Sequence, residues 1–181
     1  MEEKIVLDFE EMRRTLVRIA HEIVERTGGE DVAVVGIHRR GAVLARRLHG
    51  LVAELSEASV PFGEVDISFY RDDLSMRAAQ PLVQASAIDF PVEAHTIVLV
   101  DDVLYTGRTV RAAIDALFDY GRPRRVQLAV LADRGHRELP FRPDYVGKNL
   151  PTARSEHVKV RVVELDGVDE VALSQRDEVA A

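Results

Sequence analysis

Apolar positions recur along the chain in two rhythms. Phe9, Met12, Leu16, Ile19, Ala20 and Ile23 follow at three- and four-residue steps, the period of one face of an α-helix. Asp8 with Glu11 resembles a capping box ahead of them and Gly28-Gly29 closes the pattern, so a helix is predicted from Asp8 to about Thr27. Val32-Ala33-Val34-Val35-Gly36 is a short apolar, β-branched run, which suits a strand covered on both faces, as parallel strands are. A polar turn, His38-Arg39-Arg40-Gly41, leads into a second helical pattern (Ala42, Leu44, Ala45, Leu48, Leu51, Val52, Leu55) that runs to about Ser56. Val65 to Tyr70 and Thr96 to Val100 read as strands, Val110 to about Tyr120 as a helix, and Arg125 to Leu131 as a fourth strand. Residues 71–91 lack clean periodicity and read as a long loop or arm, a feature that in compact domains is usually functional or disordered.

Strands alternating with helices predict an α/β fold with a parallel, doubly wound sheet, whose ligands sit at the carboxyl ends of the strands. Beyond Asp133 the pattern changes. Pro140, Pro143, Gly147 and Pro151 punctuate a loop-rich stretch before a last strand-like run, Val158 to Leu165, expected to cap the core. There is no internal repeat and no sign of a second domain, so residues 1–181 are expected to form one domain.

Composition adds bounds. At 181 residues, 46% hydrophobic and 30% charged, the chain is an ordinary globular protein able to bury one sizeable core. It has no cysteine, which removes disulfides, thiolate zinc sites and cysteine nucleophiles and fits a reducing compartment. No apolar run approaches the roughly 20 residues of a membrane span, and acidic Met1-Glu2-Glu3 is no signal peptide, so a cytoplasmic location away from membranes is expected. The formal net charge of -7 argues at first against a nucleic-acid partner, because phosphate neutralisation dominates such affinity. Its distribution weakens that objection: residues 1–50 are neutral, 51–100 carry -6, 101–150 carry +2 and 151–181 carry -3. Arg14, Arg18 and His21 form a basic stripe on the polar side of the first helix, ending at Glu25; a solvated face with an Arg/Glu pair accounts for the same pattern.

The sharpest chemical signal is the run from Ile97 to Thr109, Ile-Val-Leu-Val-Asp-Asp-Val-Leu-Tyr-Thr-Gly-Arg-Thr. A buried strand delivers two carboxylates to the sheet edge and a short Thr/Gly loop opens a helix. Backbone N–H groups at such a helix start make an anion site, and Gly107 permits close approach. Two acids just upstream can take hydroxyls or the waters of Mg2+. The arrangement suits a sugar phosphate; the plainer reading is that Asp101 and Asp102 end a strand and cap a turn. Neither a P-loop nor a G-x-G-x-x-G motif is present.

This run closely resembles the phosphoribosyl-diphosphate motif of type I phosphoribosyltransferases. Taken with Arg13-Arg14, Arg18 to Glu22, Tyr70 to Leu74, Asp133 to Pro140 and Gly147-Lys148-Asn149, it resembles the bacterial regulators of pyrimidine operon attenuation, a family whose members are also uracil phosphoribosyltransferases. The likeness extends from about Lys4 to about Leu165. It implies the type I fold, with a small hood formed by the terminal segments (about 133–165 on the C-terminal side) and a flexible arm at about 71–91. It implies that uracil and phosphoribosyl diphosphate give UMP and pyrophosphate with Mg2+ as cofactor. Asp101 and Asp102 match the catalytic, ribose-binding acids and are candidate Mg2+ ligands. Val103, Leu104, Tyr105, Thr106, Gly107, Arg108 and Thr109 match the phosphoribosyl-diphosphate loop, and His38, Arg39, Arg40 and Gly41 the pyrophosphate loop, with no particular role for the His38 side chain. Arg71 falls in the flexible loop, and Arg134 and Val158 fall where the uracil edge is received.

The resemblance further implies binding of a stem-loop in the leader of pyrimidine messenger RNA, promoted by UMP, by a homodimer or higher oligomer. Arg14, Arg18, His21, Arg137, Arg142 and Lys148 are the candidate contacts. Val17 stands where some members carry a hydroxyl residue, and Thr15 is not on the same helical face. A purine-type phosphoribosyltransferase, and a nucleotide-sensing regulator without significant catalysis, are the alternatives; the intact acid pair speaks against the second.

Overall fold

The computed structural model describes residues 3–70 and 86–175. The chain runs β1 (Lys4–Leu7), α1 (Phe9–Thr27), β2 (Val32–Ile37), α2 (Arg40–Ser56), β3 (Phe62–Val65), β4 (Thr96–Leu104), α3 (Arg108–Phe118), β5 (Arg125–Asp133), β6 (Tyr145–Asn149), β7 (Glu156–Arg161), a short α4 (Val163–Asp166) and β8 (Glu170–Gln175). The predicted capping box forms: Glu11 N–H donates to Asp8 Oδ1 at 2.8 Å and Asp8 N–H to Glu11 Oε2 at 3.0 Å. Gly28, at φ 71°, ends α1 in the left-handed region.

Five parallel strands make the central sheet in the order β3-β2-β4-β5-β6. Alternation along its strands sends side chains to two cores. Val34, Val98, Val100, Ala129 and Leu131 meet Met12, Leu16, Ile19 and Ile23 of α1 and Leu44, Leu48 and Val52 of α2. Ala33, Val35, Ile97 and Leu99 meet Ala112, Ala113 and Leu117 of α3 on the opposite face. The sheet is therefore doubly wound.

Three expectations need revision. The strand expected at Val65 to Tyr70 ends at Val65, because the buried Asp66 carboxylate accepts from the Ser68 N–H at 2.8 Å and the Ser68 hydroxyl at 2.6 Å, turning the chain. The segment after Asp133 does not go wholly to the hood: β6 joins the central sheet beside β5. The hood itself is an antiparallel sheet in the order β1-β8-β7; the last predicted strand stops at Arg161, and residues 163–166 form α4. The hood thus comes from both ends of the described chain. Of the arm expected at 71–91, residues 71–85 lie outside the described residues.

The chain leaves β2 toward β3 on one side and returns through β4 on the other, so the topological switch point lies between β2 and β4, where ligands bind in such folds. Glycines let the backbones meet there. A Cβ on Gly36 would lie 2.5 Å from Ala42 Cα, and one on Gly41 would lie 2.7 Å from the Val100 carbonyl oxygen and 3.1 Å from Asp101 Cα.

Arginines of α2 tie the hood to the core. Arg47 donates to Asp169 (2.8 and 3.0 Å) and to Glu164 (2.9 and 2.5 Å), and Arg40 donates to Asp166 (2.7 and 3.2 Å). The Arg47 hydrogen bonds hold the Glu164 carboxyl below its ordinary range. Burial works the other way on Asp169, but Arg47 and the Val163 N–H outweigh it and leave its pKa lowered. Carboxyls that titrate lower in the folded state stabilise it above about pH 4, and that contribution is lost as pH falls through their folded values.

Two outcomes are expected. Gly36→Ala should destabilise the fold by about 1–3 kcal/mol in denaturant melts, the usual penalty of overpacking; an unchanged midpoint would refute the close contact. Arg47→Met should lose about 1–3 kcal/mol at pH 7 by leaving the Asp169 carboxylate without its cation, and the gap from wild type should narrow as pH falls below about 4. A gap independent of pH would mean that packing, not charge, is what Arg47 supplies.

Candidate active site and basic face

Asp101 and Asp102 lie near the carboxyl end of β4. Asp101 is buried, at 6% exposure. Its Oδ1 accepts from the Asp102 N–H at 2.9 Å, and Asp102 Oδ1 accepts from the Val103 N–H at 2.8 Å. These local bonds orient both carboxylates at the strand end, the place where a ligand hydroxyl or cation would meet them. Gly41, in the first turn of α2, sits directly against Asp101, so the end of the expected pyrophosphate loop and that acid border one crevice.

The loop after β4 closes that crevice. Gly107, at φ 92°, is the N-cap of α3, and the Thr106 hydroxyl oxygen accepts from the Arg108 N–H at 3.3 Å. A cavity of about 640 Å³ is lined by Asp101, the residues from Val103 to Val110, Glu138 and His157. Every sequence-predicted loop residue from Val103 to Thr109 thus borders the same space as Asp101. At its mouth the first-turn N–H groups and the dipole of the eleven-residue α3 favour an anion.

Two of its lining residues had no assigned role. His157 comes from β7 of the hood, whereas the neighbouring Val158 packs against the core. The period of two in Val158, Val160 and Val162 already implied that position 157 faces the other way. Glu138 follows β5, and its Oε2 accepts from Arg108 Nε at 2.7 Å; nothing in its spacing signals that placement.

Arg134 is buried at 5% exposure. Its guanidinium lies 4.1 Å from the centre of the Tyr105 ring, one amino group donates to the Ala153 carbonyl at 3.3 Å, and its Nε has no partner among the described residues. It lines not the cavity of the acid pair but a second one, of about 740 Å³, together with Arg137 and Arg142.

In the turn after β2 the two arginines part company. Arg40 is tied to Asp166 of the hood, while Arg39 is exposed beside a third cavity lined also by His38 and Glu64. His38 Nε2 lies 3.3 Å from Glu64 Oε2, a charge contact without hydrogen-bond geometry, and Arg46 pairs with the same carboxylate. Arg71 lies outside the described residues.

The basic residues fall into two groups. Arg14, Arg18 and His21 are exposed on α1, and Arg18 bridges to β6, donating to the carbonyls of Val146 (3.1 Å) and Gly147 (2.7 Å) while pairing with Glu22. A Cβ on Gly147 would lie 2.3 Å from the Leu131 carbonyl oxygen and 2.7 Å from Thr15 Cγ2, so glycine lets α1 press close to the sheet and places Thr15 over β6. Lys148 donates to the Val6 carbonyl at 2.8 Å. In the second group Arg142 is exposed, but Arg137 is a clamp: it donates to the carbonyls of Tyr105 and Phe141 and to Asp133 at 2.9, 3.0 and 2.5 Å. Val146 links the groups, since its carbonyl accepts from Arg18 and it lines the second cavity with Arg142.

Comparison with known proteins agrees with this geometry. The family model described as "Phosphoribosyl transferase domain" matches residues 4–165. A "Bifunctional protein PyrR" of Thermus thermophilus is 60% identical over 168 residues, covering 92% of this chain and 93% of that one. The protein of the same name from a Roseiflexus species is 58% identical over 168 residues, covering 92% of each. Among solved structures, the hypoxanthine phosphoribosyltransferase of Trypanosoma cruzi superposes with a TM-score of 0.73 at 18% identity, covering 96% of this chain and 97% of that one, a likeness of fold. A crevice at the switch point, an acid pair at the end of β4 and a phosphate-type loop at the start of α3, within a sequence matched almost end to end, place this chain in the phosphoribosyltransferase family, among the bifunctional PyrR proteins.

Proposed function

We propose that the protein transfers the phosphoribosyl group of phosphoribosyl diphosphate to uracil, giving UMP and pyrophosphate, and that with UMP bound it attenuates pyrimidine gene expression by binding a stem-loop of the leader messenger RNA. The observation that carries the enzymatic half is the contact of Gly41 with Asp101. It brings a site for the leaving pyrophosphate, after β2, against the acids that would hold the ribose, with the 5'-phosphate loop on the other side. The name shared by relatives at 58% and 60% identity, "Bifunctional protein PyrR", agrees with two roles.

The mechanism is positioning and electrostatics. Backbone N–H groups at the start of α3 hold the 5'-phosphate. Asp101 and Asp102 take the ribose hydroxyls and offset the positive charge that develops at the sugar as pyrophosphate departs. Arg39 and the amides of the turn from His38 to Gly41 receive the leaving group. The uracil edge meets the hood near His157 and Val158, with Arg134 stacked on Tyr105 of the cavity wall.

The acid pair fits Mg2+ in one way. Among the described residues no group of three or more His, Asp or Glu side chains could hold a metal ion, so the ion would reach Asp101 and Asp102 while carried by substrate oxygens and water, the mode Mg2+ favours. When bound, it supplies charge neutralisation to the diphosphate.

For the RNA, α1 and the loop before β6 offer the exposed cations Arg14, Arg18 and Arg142, and a homodimer or higher oligomer would present two such sets. No helix among the described residues is long and apolar enough to cross a membrane; the cytoplasm, where its substrates and messenger RNA are made, is its proposed location.

Replacing Asp101 and Asp102 by Asn should lower UMP formation from labelled uracil by on the order of 10²-fold or more, with the fold retained; wild-type turnover would sink the assignment. Purines should not replace uracil in the same assay. Arg14→Ala with His21→Ala, both exposed, should weaken leader RNA binding and reduce its salt dependence by about the one phosphate contact of Arg14 while UMP synthesis continues. An unaltered salt slope would put the RNA on another surface.

A further inference from the structure

Glu138 has the wrong sign for its place. It lines the cavity whose wall is the anion loop from Thr106 to Thr109, and its carboxylate holds the Arg108 guanidinium of that loop at 2.7 Å. Its backbone is stitched to the loop as well: the N–H groups of Glu138 and Leu139 both donate to the Thr106 carbonyl, at 2.9 and 3.0 Å. A phosphate monoester entering the loop brings up to two negative charges and several strong acceptors to the same guanidinium. The pair is exposed, at 38% and 53% for the two side chains, so it is weak and readily exchanged.

The same segment has a second side. Arg137, next to Glu138, donates to the Tyr105 carbonyl in the loop and to the Phe141 carbonyl beyond. Phe141 and Leu139 cover Gly107 so closely that a Cβ there would lie 2.9 Å from Phe141 Cδ2 and 3.3 Å from Leu139 Cβ. Arg142 follows immediately, on the cavity it shares with Arg134, Arg137 and Val146. Residues 137–142 are thus bonded inward to the phosphate loop, through Arg137 among others, and carry one exposed arginine, Arg142, outward.

We propose that Glu138 is the resident stand-in for the nucleotide phosphate: it holds Arg108 while the loop is empty, gives it up when a phosphate monoester binds, and passes that release through residues 137–142 to Arg142 at the RNA face. The competition for Arg108 needs only that the loop binds phosphate; the relay rests on the proposed RNA-binding role. Glu138 is then a positioning residue that sets both the affinity of the loop and its link to the regulator surface.

The test uses Glu138→Gln, a half-exposed substitution of equal size, in the full chain. By calorimetry the variant should bind UMP about two- to five-fold tighter than wild type, the range of one exposed ion pair, with uridine, which lacks the phosphate, bound equally by both. Unchanged or weaker UMP binding, or an equal gain for uridine, overturns the competition. In gel shifts of the leader stem-loop, wild type should need UMP for full binding, and the variant should bind with less dependence on it. An equal stimulation by UMP in both proteins overturns the relay. If wild type with saturating UMP retains no RNA, the regulator reading falls and the relay with it, while the calorimetry still decides the competition for Arg108.

Discussion

The backbone of Gly41 lies against the Val100 carbonyl and Asp101 with no space for a side chain, and the geometry of the site depends on that contact. The loop after β2 belongs to one half of the doubly wound sheet and the acid pair to the other; the two halves diverge from the switch point, so only there can groups from both reach one ligand. A Cβ on Gly41, 2.7 Å from the Val100 carbonyl oxygen, would push the two backbones apart and misplace groups that must meet one ligand. Gly36, one strand end away, performs the same service for the start of α2, whose Ala42 it meets. Backbone proximity, rather than a dense network of side chains, thus sets the spacing between the start of α2 and the acid pair.

Much of this was legible in the residues. Elements with a strong period and clear punctuation, α1 with its capping box and β2 with its unbroken apolar run, stand where the pattern placed them. The run from Ile97 to Thr109 carried its function in its order, since strand, acids, glycine and helix start are local features. What escaped were features set by partners distant in sequence. β6 reads as a loop because Gly147 interrupts it, yet that glycine is there to let α1 approach. The turn at Asp66 is decided by a buried carboxylate that a hydropathy pattern treats as one more polar residue. Glu138 and His157 reach the cavity from β5 and the hood, and only the folded chain brings them to it.

Charge follows the same logic. Several arginines that composition would assign to a nucleic-acid partner are already engaged: Arg40 and Arg47 fasten the hood, Arg137 clamps the loop after β4, and Arg18 spans α1 and β6. A guanidinium suits such work because its planar fork serves several acceptors at once. The net charge of -7 therefore says little about partners, since many cations are engaged internally.

The hood is built from β1, β7 and β8, with Lys4 paired to Leu173 and Val158 to the same residue on its other side. Pairings between strands so far apart in the chain close slowly, because the loop entropy must be overcome before the contacts form. During synthesis, which proceeds from the amino end, the sheet, the acid pair and the phosphate loop can all be complete while β1 still waits for its partner. The cavity is therefore bordered by parts of the protein with different histories: a floor that forms early and a roof that closes late, so that the wall His157 supplies from the hood is finished only when β7 is in place.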